Sequence, residues 1–175
     1  MEAAVNRLCD ASRARKPTTQ TNEEASVPTT EISIKSARRT VMAVLLDPTT
    51  YPTWLVGAKA TLSVDDRWPA PGSSFRHVVG AGVVRTSDTT TVVDVDPEAS
   101  LVLKVKARPF GTGHVRFHVK EIAPDTSLVT LDETPDSAPL RLLGPIVNPL
   151  IALRNRASLR ALRSRIEDSR TSSNA

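Results

Sequence analysis

A chain of 175 residues with 39% hydrophobic and 24% charged residues is long enough for one domain with a real core and too short for two comfortable ones. A net charge of +4 is ordinary for a soluble domain and does not call for a nucleic-acid partner, while Cys9, the single cysteine, excludes an intramolecular disulfide and a cysteine-based zinc site. No apolar run approaches the roughly 18 residues of a membrane helix or contains the centre of a secretory signal, so no membrane span is expected and the cytoplasm is the expected location.

Residues 1–28 read as a disordered N-terminal tail, because "RARKPTTQTNEEASVPTT" is rich in Thr, Ser, Pro and charge and carries no periodicity to bury. The domain is expected over 29–168, with 169–175, "SRTSSNA", as a second tail. "EISIKS" alternates Ile32 and Ile34 with polar neighbours, as a strand does. In "SARRTVMAVLLDP", Val41, Val44 and Leu45 lie at helical spacing, with Ser36 placed to cap the start and Pro48 to close the end. The next residues, "YPTWLVG", hold the only tyrosine and one of two tryptophans in a chain that is 3% aromatic.

From Ala58 onward the pattern has period two, broken by turn residues. Leu101, Leu103 and Val105 alternate with Lys104, Lys106 and Arg108, and Val115, Phe117 and Val119 alternate with His114, Arg116, His118 and Lys120. One face is dry and the other wet. The residues after Pro139 return to helical spacing, long enough at ~1.5 Å per residue to cross the whole sheet. This order predicts an α+β fold in which a curved antiparallel sheet wraps around a long C-terminal helix, with two short helices after the first strand. The space between sheet and helix is where function is expected.

The stretch "VMAVLLDPTTYPTWLVG" resembles the helix and loop that follow the first strand in the START-like superfamily, the helix-grip fold of polyketide cyclase/dehydrase and lipid-transport domains. "PGSSFRHVVG", "ARPFGTGHVRFHV", "SLVTLDE" and "RNRASLRALRSRIE" fit the same family in the right order, so the resemblance spans about Thr30 to Asp168. It implies a cavity that binds a lipid, polyketide or sterol-like metabolite, and possible cyclase or dehydratase chemistry in that cavity. A regulatory or stress-related interaction module is the third reading. No cofactor and no metal are expected.

The candidate site residues follow from patterning. Tyr51 and Trp54 either close one mouth of the cavity or pack the base of the first helix. At about 100° per residue, Ile151, Asn155, Leu159, Leu162 and Ile166 share one stripe, so Asn155 is a polar residue on the covered face and needs partners. The resemblance adds that an Arg-Asn pair recurs at Arg154 and Asn155. Alternation puts Glu133 inward with Val129 and Leu131, which predicts a Glu133–Arg154 pair that serves folding, holds ligand polarity or moves a proton. His77 shares a face with Phe75 and Val79 and is the other candidate acid or base; Phe117 lines the dry face. His114 and His118, ~13 Å apart along their strand at ~3.3 Å per residue, are too distant to share a metal. Asn148 and Pro149 are expected to start the regular helix, with "APLRLLG" as a separate segment before it.

Overall fold

The computed structural model describes residues 29–81, 84–107, 111–136 and 144–173. The expected N-terminal tail and most of the segment "APLRLLG" lie outside the described residues. Strand β1 (Thr29–Ile34) leads to helix α1 (Arg38–Leu45), a 3₁₀ turn (Pro48–Thr50) and the one-turn helix α2 (Tyr51–Trp54). Six strands follow: β2 (Ala58–Val64), β3 (Ser74–Ala81), β4 (Val84–Asp96), β5 (Ser100–Ala107), β6 (Gly111–Ala123) and β7 (Thr126–Pro135). Helix α3 (Gly144–Ser173) closes the order.

The strands form one antiparallel sheet in the order β1-β7-β6-β5-β4-β3-β2. Five successive strand pairs from β2 to β7 are neighbours in sequence, whereas β1 sits at the far edge against β7. The connection from β1 to β2 must therefore cross the width of the sheet, and it carries α1 and α2 with it. The result is the expected α+β helix-grip architecture, a curved sheet holding the long α3.

The core is the dry face predicted by alternation. Leu101, Phe117 and Leu131 stand side by side across β5, β6 and β7, and Leu103 and Val115 form the next row. Leu159, Leu162 and Ile166 of α3 cover them and are buried. Tertiary hydrogen bonds fix the helix to the rest. The Val56 amide donates to Ser158 Oγ at 3.0 Å, the Lys35 amide to Glu167 Oε1 at 2.9 Å, and the Arg170 guanidinium to the Lys35 carbonyl at 2.5 Å.

Three local expectations are corrected. Ser36 does not cap α1: the cap position is Ala37, without a side-chain bond, while Ser36 is buried against β7, where Ser127 donates to its carbonyl at 2.8 Å and its own hydroxyl has no partner among the described residues. Helix α3 starts at Gly144 rather than Asn148, with Pro149 inside it. Pro145 falls where a helix has no amide partner to lose, and Pro149 gives up only one bond near the end. The chain after Asp168 is helical through Ser173 instead of a tail. Ser169 and Thr171 send their hydroxyls back to the Ile166 and Glu167 carbonyls, and Arg170 anchors this turn to β1, so tertiary contact overrides weak helix propensity.

Candidate functional site

The inward face changes character along its length. On β6, exposure of the inward side chains rises from 0% at Val119 to 2% at Phe117 and 9% at Val115. On α3 the buried stripe runs from Ile166 back to Asn155, and Ile151, one turn earlier, is only half-buried. Burial of the inward face is complete at Val119 and Ile166 and eases toward Val115 and Ile151.

Rings and apolar side chains pack the well-buried part of the face. Tyr51 stands edge-on to Trp54 at 5.0 Å and to Phe75 at 5.2 Å; Trp54 meets Phe117 at 6.1 Å and Trp68 meets Phe75 at 5.1 Å. Their polar atoms are used inside the protein. Tyr51 donates to the Leu45 carbonyl at 2.7 Å, Trp54 to Thr50 Oγ1 at 3.1 Å and Trp68 to the Leu46 carbonyl at 2.6 Å. Burial, aided by the negative charge of Asp47, pushes the Tyr51 hydroxyl pKa well above its ordinary value, so it stays protonated. The tight proline turn therefore pins Tyr51 and Trp54 as packed rings at the base of α1, with their donors turned to loop oxygens. Gly57 makes the exit possible at φ 97°, a left-handed conformation that side chains resist.

Toward the less buried part lies a polar group drawn from β7 and α3. Alternation along β7 turns Glu133 inward after Val129 and Leu131, opposite Val115. The helical stripe brings Asn155 to the same place, and its Nδ2 donates to Glu133 Oε2 at 3.1 Å. Arg154 Nη2 donates to the same carboxylate oxygen and, at 3.0 Å, to Asn155 Oδ1, where Nε also donates at 3.3 Å. The expected Glu133–Arg154 pair is present, with Asn155 as its third member.

These groups are not equally accessible. Asn155 is fully buried, the Glu133 side chain is 13% exposed and that of Arg154 41%. Both donors converge on Oε2; among the described residues none donates to Oε1. The triad thus offers a visiting molecule a carboxylate oxygen that accepts and a guanidinium with further donors.

His77 sits on a different part of the inward face. It is directly opposite Asp88 in the β3–β4 register, its Nε2 lies 3.1 Å from Thr90 Oγ1, and its ring packs at 5.0 Å on Phe75. Burial lowers its pKa, partly offset by the charge of Asp88, which favours the neutral imidazole. Nδ1 is buried without a hydrogen-bond partner and also without solvent contact. His77 and Glu133 are not brought together: three strands separate β3 from β7. Phe117 belongs with the packed rings rather than the triad.

Sequence patterning had not singled out Ser158 and Thr90. Ser158 is buried on the same stripe as Asn155, accepting from Val56 and donating to the Arg154 carbonyl at 3.0 Å, which ties the triad's helical turn to α2. The helical angle of Ser158 was the available signal. Thr90 becomes visible only with the β3–β4 register. Among the described residues no group of His, Cys, Asp and Glu could hold a metal ion, and no helix is long and apolar enough to cross a membrane.

The family model described as polyketide cyclase / dehydrase and lipid transport matches residues 27–167. Among solved structures, a START superfamily protein from Mycobacterium smegmatis is 17% identical, with a TM-score of 0.65, covering 81% of this chain and 97% of its own. The Zhui aromatase/cyclase from Streptomyces sp. R1128 is 13% identical, with a TM-score of 0.64 over 81% of this chain and 93% of its own. The di-domain ARO/CYC StfQ of the steffimycin biosynthetic pathway is 11% identical, with a TM-score of 0.62 over 83% of this chain and 52% of its own. No curated protein matches in sequence. With a helix-grip fold, an inward polar triad and a family match over nearly the whole described domain, the chain belongs to the polyketide cyclase/dehydrase and lipid-transport family.

Proposed function

We propose that this protein binds a small hydrophobic molecule, such as a lipid, polyketide or sterol-like metabolite, between the sheet and α3, with Glu133, Arg154 and Asn155 addressing its polar group. The observation that carries the reading is the inward triad, whose Asn155 is fully buried while Glu133 and Arg154 keep contact with solvent. A purely structural tie has no need to stand where burial is incomplete, and apolar residues would fill that position at no loss of stability. A hydroxyl on the ligand would donate to Glu133 Oε1, and a carbonyl would accept from Arg154. The test is titration of the protein with a polycyclic phenol and with the parent hydrocarbon, followed by tryptophan fluorescence, beside native mass spectra after exposure to a lipid extract. The phenol should bind at least about ten-fold more tightly, the worth of one good hydrogen bond to a charged group. Failure to retain any apolar species would sink the reading.

The second reading is cyclisation or dehydration in the same space, favoured by His77, a buried imidazole held neutral and so able to accept a proton. The separation of His77 from Arg154 and Glu133 ranks it lower, because one group would have to take the proton while the other, several strands away, polarised the carbonyl. Turnover of a poly-β-ketone that survives both His77→Gln and Glu133→Gln would remove the two named groups, and absence of any turnover by the unaltered protein would remove the reading.

A further inference from the structure

The outward side of α3 combines features that its role as a cover for the sheet does not require. Leu150 and Leu153 are 68% and 62% exposed, the two most exposed large apolar side chains described. From Gly144 to Ile166 the sequence has five arginines and no Asp or Glu. Arg154 is committed to the triad; Arg156, Arg160, Arg163 and Arg165 are exposed, and among the described residues none of them has an ion-pair partner. At about 100° per residue, Leu150, Leu153, Arg156 and Arg160 fall on the solvent side of the helix, with Arg163 and Arg165 on its two flanks. Up to Ile166 this face carries apolar side chains and cations that have no ion-pair partner among the described residues, with Glu167 and Asp168 only at its far end, and such a face suits a surface that is anionic outside and greasy just beneath.

We infer that this face of α3 docks on an anionic phospholipid bilayer, Leu150 and Leu153 entering the headgroup boundary and the four arginines meeting the phosphates. The leucines lie within about one turn of Arg154, so docking brings the helical turn that carries the triad close to the membrane, with Asn155 and Glu133 on the far side of α3. A nucleic acid would satisfy the arginines but leave the leucines without a role, and a second copy of the chain would cover the leucines but repel the arginines. The docking surface stands independently of the ligand proposal, since it uses none of the triad.

The experiment is vesicle flotation of the full chain with phosphatidylcholine alone and with roughly a third phosphatidylglycerol, at low and high salt. Binding is expected only with the anionic lipid, weakening as salt rises. Each arginine removed should lower partitioning by roughly five-fold, so Arg156→Gln with Arg160→Gln should cost more than ten-fold. Leu150→Ser with Leu153→Ser should lower binding to the anionic vesicles as well, which a purely electrostatic contact would not show. All four side chains are exposed, and unchanged circular dichroism confirms that the variants fold. Equal binding to both vesicles, no binding to either, or leucine variants that only convert a dimer to a monomer would each overturn the inference. Loss of docking with phenol binding intact separates its failure from that of the ligand reading.

Discussion

The two ends of the contact between sheet and α3 are built from the same elements and obey different rules. In the well-buried part every ring donor has an internal acceptor, side chains interlock edge to face, and all the rings but Trp68 are buried. In the less buried part the same strands and the same helical stripe present a carboxylate, an amide and a guanidinium, partly open to solvent. Trp54 brings the ring cluster to Phe117, while Ser158 ties the same crossover to the helical turn that carries the triad. The difference therefore lies in the side chains each part presents and not in which elements reach it.

The sharpest way to break the comparison is to remove side chains from each end in turn. Phe117→Ala leaves Trp54, Leu101 and Leu131 around a void and should cost about 3–5 kcal/mol in urea unfolding. Ile151→Ala, on the same stripe but half-buried, should cost about 1 kcal/mol. Equal losses would mean that the two ends are packed alike.

The triad itself gives the next largest effect. Asn155→Leu removes a fully buried amide, depriving Glu133 of one donor and Arg154 of an acceptor, at a cost of about 1–3 kcal/mol. Replacing all three members together, Glu133→Leu, Arg154→Met and Asn155→Leu, should recover most of that loss, since no charge is then left unpaired. Affinity for the phenol should stay lost in both variants. A triple variant that unfolds would show a structural tie and dissolve the contrast between the ends.

Period and angle made much of this legible before any coordinates. Alternation along β7 and the 3.6-residue stripe of α3 each pick out one misplaced polar residue, Glu133 and Asn155, and because both elements face one core, two independent misplacements predict a meeting. What stayed hidden depended on neighbours distant in sequence. Ser36 is buried against β7, where Ser127 donates to its carbonyl, and does not sit at the cap; residues 169–173 are helical with Arg170 bonded to the Lys35 carbonyl just after β1; and His77 gains Thr90 only through strand register. Local propensity carries none of that information.

His77 makes the comparison pH-dependent. Its folded pKa lies below the ordinary value of 6.5, so above that value it is neutral in both states and contributes no pH dependence. As pH falls through 6.5 the unfolded chain takes up a proton that the folded one refuses, and stability declines until the folded pKa is passed. Asp136 acts at lower pH: burial alone would raise its pKa, but hydrogen bonds from His114 and Thr112 and the charges of His114 and Lys104 outweigh it and hold it below 3.8. Its stabilisation is present above 3.8 and is lost as pH falls through the depressed value. In urea titrations His77→Gln should flatten the slope just below pH 6.5 and leave the acid limb unchanged; a slope that survives would place the titrating group elsewhere.

The smallest effects fall on α3's arginines, where the two halves of the helix should still differ. Arg170 donates to the Lys35 carbonyl and lies 3.6 Å from Asp125, near the C-terminus of α3, where its positive charge also meets the favourable end of the helix dipole. Its side chain is 40% exposed, so solvent screens most of the charge interaction, and Arg170→Gln should cost about 0.5–1 kcal/mol. Arg160 is exposed and has no ion-pair partner among the described residues, so Arg160→Gln should change stability by less than about 0.5 kcal/mol in either direction. The vesicle assay should rank the same two substitutions in the opposite order, because Arg160 shares a face with Leu150 and Leu153 while Arg170 is held against β1. An arginine that matters to folding and one that matters to docking would then be separated on a single helix; identical ranks in both assays would leave the outward face with no function distinct from covering the sheet.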